Sequence, residues 1–450
     1  MIHFNNLQAL FQNEKVFKAQ TISLKEGDIV TGQILKMFPN EFALIQIGEL
    51  KLQAKLNAPL MTNVSYLFQV TQNEPIVELK LIENPPSTKI NHARNQEQIT
   101  ALLKRMDLPN TKENKQLLTL FLAELLPFSK ETLQTASDWL RTINKADIPN
   151  ALESIKWAVR KELPLTGSIF KSLMALQTEE PFSETISKVY ELIKNTGQKS
   201  PTLEQLQRTL FQLTGQNVDT HLNDEGKAPT QIYWNNGKEV MQTFKSMFQN
   251  IGLQYENDIN ILQDERFFGE KLQSLKPLVM KALEESLDPK VNGKLEHLLQ
   301  RITGLQLLNT DQHGSIQQLL LQLPLFLGNH QTDLVVQWTG KKQSDGKIDP
   351  AYCRILLYLE LEYLQEMLID VRVQNRIVTI QIYNETPYLD AIVKKYQPLL
   401  KEQLQEYQYY LSGIIVSDGK NKKHDDNDMT TSHKTMAPFS SPINGVDIKI

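Results

Sequence analysis

One cysteine in 450 residues, Cys353, leaves no disulfide framework and excludes four-thiolate zinc sites and iron–sulfur clusters. The eight histidines, at 3, 92, 221, 297, 313, 330, 424 and 433, include no pair one helical turn apart and no His-Glu-x-x-His. A helix-borne metal centre therefore has no support. Charge of one sign is also missing. Forty-eight Lys and Arg stand against 52 Asp and Glu, a net −4, which argues against bulk electrostatic binding to nucleic acid or an anionic membrane. The longest apolar run, Leu319 to Leu327, is broken by Gln322 and Pro324 and falls short of the ~20 residues of a membrane span. Residues 1–20 mix Asn, Gln, Lys and Glu and read as a polar leader with no secretory core. A soluble, cytoplasmic chain is expected.

Nucleotide and hydrolase signatures are lacking as well. Gly-Lys occurs at 226, 237, 293, 340, 346 and 419 but is never followed by Ser or Thr, so there is no P-loop. No Gly-x-Gly-x-x-Gly follows a strand, and no Gly-x-Ser-x-Gly nucleophile turn is present. Glu360 and Glu362 lie two apart but alternate with Leu359 and Leu361, the pattern of a solvent-facing strand. Cys353 precedes Ile355, Leu356 and Leu357 and reads as a small buried hydrophobe. No catalytic, cofactor-binding or metal-ligating residue is assigned, and an enzyme is not expected.

What is there is patterning. Residues 21–86 alternate apolar with polar in five short runs, Asp28–Leu35, Phe42–Ile47, Leu50–Leu56, Val64–Val70 and Ile76–Ile82. Their separators carry Gly48, Asn57, Pro59, Asn73 and Pro75, and five such strands can close into a small barrel. Small barrels often bind single-stranded nucleic acid, with Phe38, Phe42, Tyr66 and Phe68 as conceivable stacking platforms. Five Lys against seven acids across 21–86 is the wrong sign for a phosphate groove, so these aromatics are expected mainly in the core.

The period then lengthens to that of a helix. Residues 95–213 form a helical region. It opens on Asn110-Thr111-Lys112-Glu113, with Asn110 as the expected cap, and continues after Ser129 and after Ser200-Pro201. Residues 214–237 read as a linker and 238–304 as further helices, with Gly304 as the break. Strand signals return in 305–416. Ser315–Leu323 and Asp333–Trp338 are separated by Pro324 and Gly328, and Lys341–Asp349 forms a charged loop. Arg354–Glu360, Leu368–Gln374 and Arg376–Ile382 follow, the last two about a tight turn at Asn375. A helix from Thr386-Pro387 and a strand Gly413–Val416 complete an antiparallel sheet packed on a helix. Residues 417–450 read as a disordered tail in which Gly445–Ile450 alternates like an added edge strand. The expected fold class is multidomain α+β: a five-stranded β-barrel, a helical array and a C-terminal sheet with a helix.

Residues 305–416 resemble the C-terminal domain of the flagellar hook-length control (FliK) family, in the long form of Bacillus-type bacteria. Leu357-Tyr358-Leu359-Glu360-Leu361-Glu362-Tyr363-Leu364 stands where that family carries Leu-x-Pro-x-x-Leu-Gly. Leu361 replaces the signature Pro and Gln365 the signature Gly, while Val371–Val373 and Val378–Ile382 match the next two strands. The resemblance implies a non-enzymatic regulator of type III export specificity. Its C-terminal domain would contact the cytoplasmic domain of an FlhB-like export gate, and the chain itself would be open to export. Tyr363, Leu364 and Arg372 fall on the matching motif and are the candidate partner-binding residues. The alternatives are a multidomain cytosolic scaffold or adaptor without a flagellar role, or a weak nucleic-acid-binding barrel protein.

Overall fold

The computed structural model describes residues 24–48, 50–58, 60–83, 92–214, 237–253, 274–285, 288–310, 316–327, 330–343 and 347–417. The expected leader, linker and C-terminal tail, with its Gly445–Ile450 strand, lie outside the described residues.

Period-two alternation produces β1 (Ile29–Met37), β2 (Phe42–Ile47), β3 (Leu50–Leu56), β4 (Ser65–Gln72) and β5 (Val77–Glu83). They close a barrel in the order β1-β2-β3-β5-β4, the short parallel β3–β5 pairing sealing it. Closure removes the sheet edges that would otherwise stay unpaired. Val30, Ile34, Ala43, Ile45, Ala54, Phe68 and Leu79 fill the interior. Gly32 faces it too, and a Cβ there would sit 2.9 Å from Ile45 Cγ2. The opposite parity leaves Ile29 and Leu67 on the outside, where they join the core of the helices that follow. Ile29 and Phe128 exchange two backbone hydrogen bonds of 2.7 and 3.1 Å, tying barrel to helices.

Those helices are α1 (His92–Arg105), α2 (Lys112–Ala123), α3 (Lys130–Arg141), α4 (Ile148–Arg160) and α5 (Gly167–Ala175). A second group comprises α6 (Phe182–Asn195), α7 (Pro201–Thr214), α8 (Gly237–Ile251), α9 (Leu275–Leu283) and α10 (Pro289–Leu308). Ser129 caps α3 as expected, accepting from Thr132 N–H at 3.1 Å. The cap of α2 is Thr111, one residue after the expected Asn110, and it accepts from Asn114 N–H. Each group has its own apolar cluster, and α10 contributes to both. The boundary expected at Gly304 is corrected, because α10 continues through it to Leu308. Gly304 marks a close helix crossing: a Cβ there would lie 2.3 Å from the Ser172 carbonyl oxygen on α5.

The C-terminal sheet holds β6 (Ile316–Leu327), β7 (His330–Lys342), β8 (Ile348–Leu361), β9 (Gln365–Gln374), β10 (Ile377–Tyr383) and β11 (Tyr410–Ser417), in the order β11-β10-β9-β8-β7-β6. It is antiparallel through β10. α11 (Leu389–Glu406) then crosses over, and β11 joins β10 in parallel. Asn375 and Arg376 take φ of 49° and 63°, the paired left-handed residues of a tight hairpin turn. Three local expectations are corrected. Pro324 does not end a strand but sits within β6, opposite Asp333, because an edge strand tolerates the missing N–H. The charged loop shrinks, since β7 runs to Lys342 and β8 starts at Ile348. The helix begins at Leu389, not Thr386-Pro387, after Tyr388 in the left-handed region at φ 69°.

A buried network fastens the sheet to the second helix group. α6 starts after Pro181, which has no side-chain oxygen to cap it. Asp333 of β7 takes over: Oδ2 accepts from Phe182 N–H at 2.5 Å and Oδ1 from Ser183 N–H at 2.9 Å. Gln322 of β6 donates to the same carboxylate at 2.8 Å. Arg301 of α10 reaches the Glu180 carbonyl and Thr185 Oγ1 at 2.8 and 2.7 Å, with its guanidinium 5.2 Å from the Phe182 ring centre. Burial lowers the pKa of Arg301 to about 10, against the opposing pull of Asp333 and Glu180.

Candidate docking surface on the C-terminal sheet

Alternate residues of the sheet face opposite ways, and the two faces are covered unequally. At the β6–β8 end, Leu320, Val335, Leu356 and Tyr358 join the core of α1–α5. Leu323, Leu325 and Leu334, of the other parity, join the core of α6–α10. This end is gripped from both sides. At the β9–β11 end, Val373, Val378, Ile380 and Ile414 pack beneath Leu400 and Leu404 of α11.

The opposite face of that end is bare. Tyr352, Ile377, Tyr410 and Ile415 lie exposed on it. A Cβ built on Gly413 would meet nothing within 4 Å. α11 adds a second apolar strip, for Leu389, Leu400 and Leu404 turn inward while Tyr388, Ile392, Tyr396 and Leu399 recur at helical spacing on its exposed side. With Tyr363 and Tyr407, ten of the sixteen large exposed hydrophobic residues among those described fall between 352 and 415. Concentration of this kind distinguishes an interaction surface from scattered apolar residues.

Charge on the bare face is organised. Arg354 and Arg372 stand directly opposite each other on β8 and β9, a like-charged pair that repels by itself. Asp370, two residues along β9, resolves it. Arg354 grips the carboxylate as a fork, Nε to Oδ1 and Nη2 to Oδ2, both at 2.8 Å. Arg372 donates Nε and Nη2 to Oδ2 at 3.1 and 2.8 Å. Burial alone would push the Asp370 carboxyl up, but the hydrogen bonds from Arg354 and Arg372 outweigh it and hold the group below the usual carboxylate range. The hydrogen bond to Asp370 in turn raises Arg372. Cys353 is buried in the sheet, and burial pushes its thiol up.

The three candidate residues from the sequence do not form one cluster. Tyr363 is 83 % exposed at the tip of the β8–β9 turn. Leu364 is half-buried, and its carbonyl accepts from Asn384 Nδ2 and Thr386 Oγ1 at 2.5 and 3.2 Å. Arg372 is seven residues further down β9 than Gln365, roughly 23 Å at strand rise. Arg354 and Asp370 escape sequence reasoning, since only the strand register brings them to Arg372. In the barrel, Tyr66 and Phe68 are core, whereas Phe38 and Phe42 stay partly exposed, with Lys36 Nζ 5.3 Å from the Phe38 ring centre. No described helix is long and apolar enough to cross a membrane.

The family model of the TP0910 S1-like domain matches residues 6–80, which take in β1–β4 and the first half of β5. The uncharacterized protein YlqG of Bacillus subtilis is 21 % identical over 520 aligned positions, which cover 86 % of this chain and 89 % of that protein. No solved structure matches the chain. An S1-like barrel fits a general protein-binding or nucleic-acid-binding module.

Proposed function

We propose that this chain is a non-enzymatic binding protein, and that the open end of its C-terminal sheet, together with the outer side of α11, docks a protein partner. The observation that carries this reading is the concentration of exposed Tyr, Ile and Leu on one module, over the bare sheet face and along the outer side of α11 on the other side of the sheet. The groups with shifted acidity on that module are accounted for by burial and ion pairing.

The resemblance to hook-length control proteins names the partner class: the cytoplasmic domain of a type III export gate. Two features support it. The order hairpin, helix, closing strand is that of β9–β10, α11 and β11. Gln365 adopts φ 55°, the left-handed region that suits the glycine of the family signature at that position. Calorimetric titration of the full chain with such a gate domain tests the proposal. Micromolar binding that Ile392→Glu or Gly413→Glu abolishes is expected. Binding indifferent to both substitutions contradicts the docking surface, and no binding removes the export role while leaving an adaptor for another protein.

A second reading concerns the barrel, where Lys36 and Phe38 share the surface with Phe42. Weak binding of single-stranded oligonucleotides, lowered by Phe38→Ala and by salt, is its expected sign. Retention of binding in Phe38→Ala contradicts it.

A further inference from the structure

Resting on that docking reading, we infer that the bare sheet face recognises a carboxylate side chain of its protein partner, held by Arg372 beside an apolar contact on Ile377, Tyr410 and Ile415.

The argument is one of charge and geometry. Two guanidiniums share a single carboxylate, so the cluster carries one surplus positive charge. The surplus belongs to Arg372. Arg354 alone satisfies both oxygens of Asp370 in fork geometry, whereas Arg372 spends two donors on one oxygen already used. Arg372 Nη1 has no hydrogen-bond partner among the described residues, and the side chain is 42 % exposed, against 1 % for Asp370. Asp370 therefore acts as a splint: it stiffens a guanidinium that would otherwise sample many rotamers and turns its outer edge to the open face. A pre-oriented guanidinium matches a planar carboxylate better than a lysine would.

The apolar surroundings select the kind of ligand. Gln374, Thr379 and Gln381 are the uncharged neighbours on this face, and Gly413 leaves room over β11. A nucleic-acid strand needs a track of positive charge, and here one surplus charge sits among Tyr and Ile. An Asp or Glu flanked by apolar residues on a protein segment complements what is present.

Random peptides displayed on phage, selected on the full chain and counter-selected on Gly413→Trp, supply the probe. Synthetic versions of the selected peptides are then measured by fluorescence anisotropy. We expect peptides with an Asp or Glu beside apolar residues. Exchange of that acid for its amide should weaken binding by about tenfold or more, with a matching loss for Arg372→Gln. Arg372→Lys should give an intermediate loss, and Arg354 keeps Asp370 paired in both variants. The acid-to-amide exchange is read on the unaltered chain, so it stands even if a variant folds poorly. Peptides blocked by Gly413→Trp but indifferent to the acid and to Arg372 overturn this inference and leave the docking surface standing. Absence of any peptide blocked by Gly413→Trp overturns both. A single-stranded oligoribonucleotide whose binding depends on Arg372 also overturns it, in favour of phosphate.

Discussion

The C-terminal sheet uses the same pair of residue types at its two ends to opposite purpose. At the covered end, Asp333 and Arg301 are sealed between strands and helices: Asp333 accepts from the first N–H groups of α6 and from Gln322, and Arg301 donates to the Glu180 carbonyl and Thr185 Oγ1. At the open end, Asp370 is buried, but its two arginines reach the surface. Buried charges whose bonds end inside the protein fix architecture. An ion pair with an unused donor at the surface is available to something outside. The contrast also separates stability from binding, because the covered end should carry the folding energy and the open end the recognition.

Asp333→Ala should break the comparison hardest. It uncaps α6 and removes a negative charge that offsets the buried Arg301, at a cost of about 3–5 kcal/mol in denaturant unfolding. Less than about 1 kcal/mol would mean that Asp333 is not the clasp. Gly304→Ala comes next, at about 1–3 kcal/mol, because its Cβ would press on the Ser172 carbonyl on α5. A neutral result would show that the α5–α10 crossing gives way easily.

Asp370→Asn should cost only about 1 kcal/mol, since both arginines are partly hydrated. Its pH dependence sharpens the comparison. The folded-state carboxyl lies below its ordinary value, so the stabilisation is complete above about pH 4 and disappears as the pH falls through the folded-state value. The gap in stability between the parent and Asp370→Asn should therefore close on acidification. A gap that does not narrow on acidification would mean that charge is not its source. Smallest of all, Gln365→Gly should stabilise the fold by about 0.5 kcal/mol, read as a slightly higher thermal midpoint, by relieving the left-handed turn.

Legibility in the sequence followed the range of the interaction. The barrel strands and the Ser129 cap were readable, because alternation and capping act over a few residues. The turn at Asn375 was readable for the same reason. Gly304 and Pro324 were misread as breaks. A glycine's role depends on what packs against it, and a strand proline's on whether its strand lies at an edge. Neither is written locally. Asp333 looked like a polar residue beginning a strand, although the backbone it serves lies 150 residues earlier. Arg372 was singled out only by its place in a motif. Its partner Arg354 sits 18 positions away and becomes its neighbour only through the β8–β9 register.

The central claim, that the open end is a protein-docking surface, is tested most directly by amide hydrogen exchange on the full chain with and without an export-gate cytoplasmic domain. The account predicts added protection in 377–383, 388–399 and 410–417, none in the barrel, and its loss in Gly413→Glu. Protection confined to the barrel or the helical array, with the gate domain bound, would contradict it.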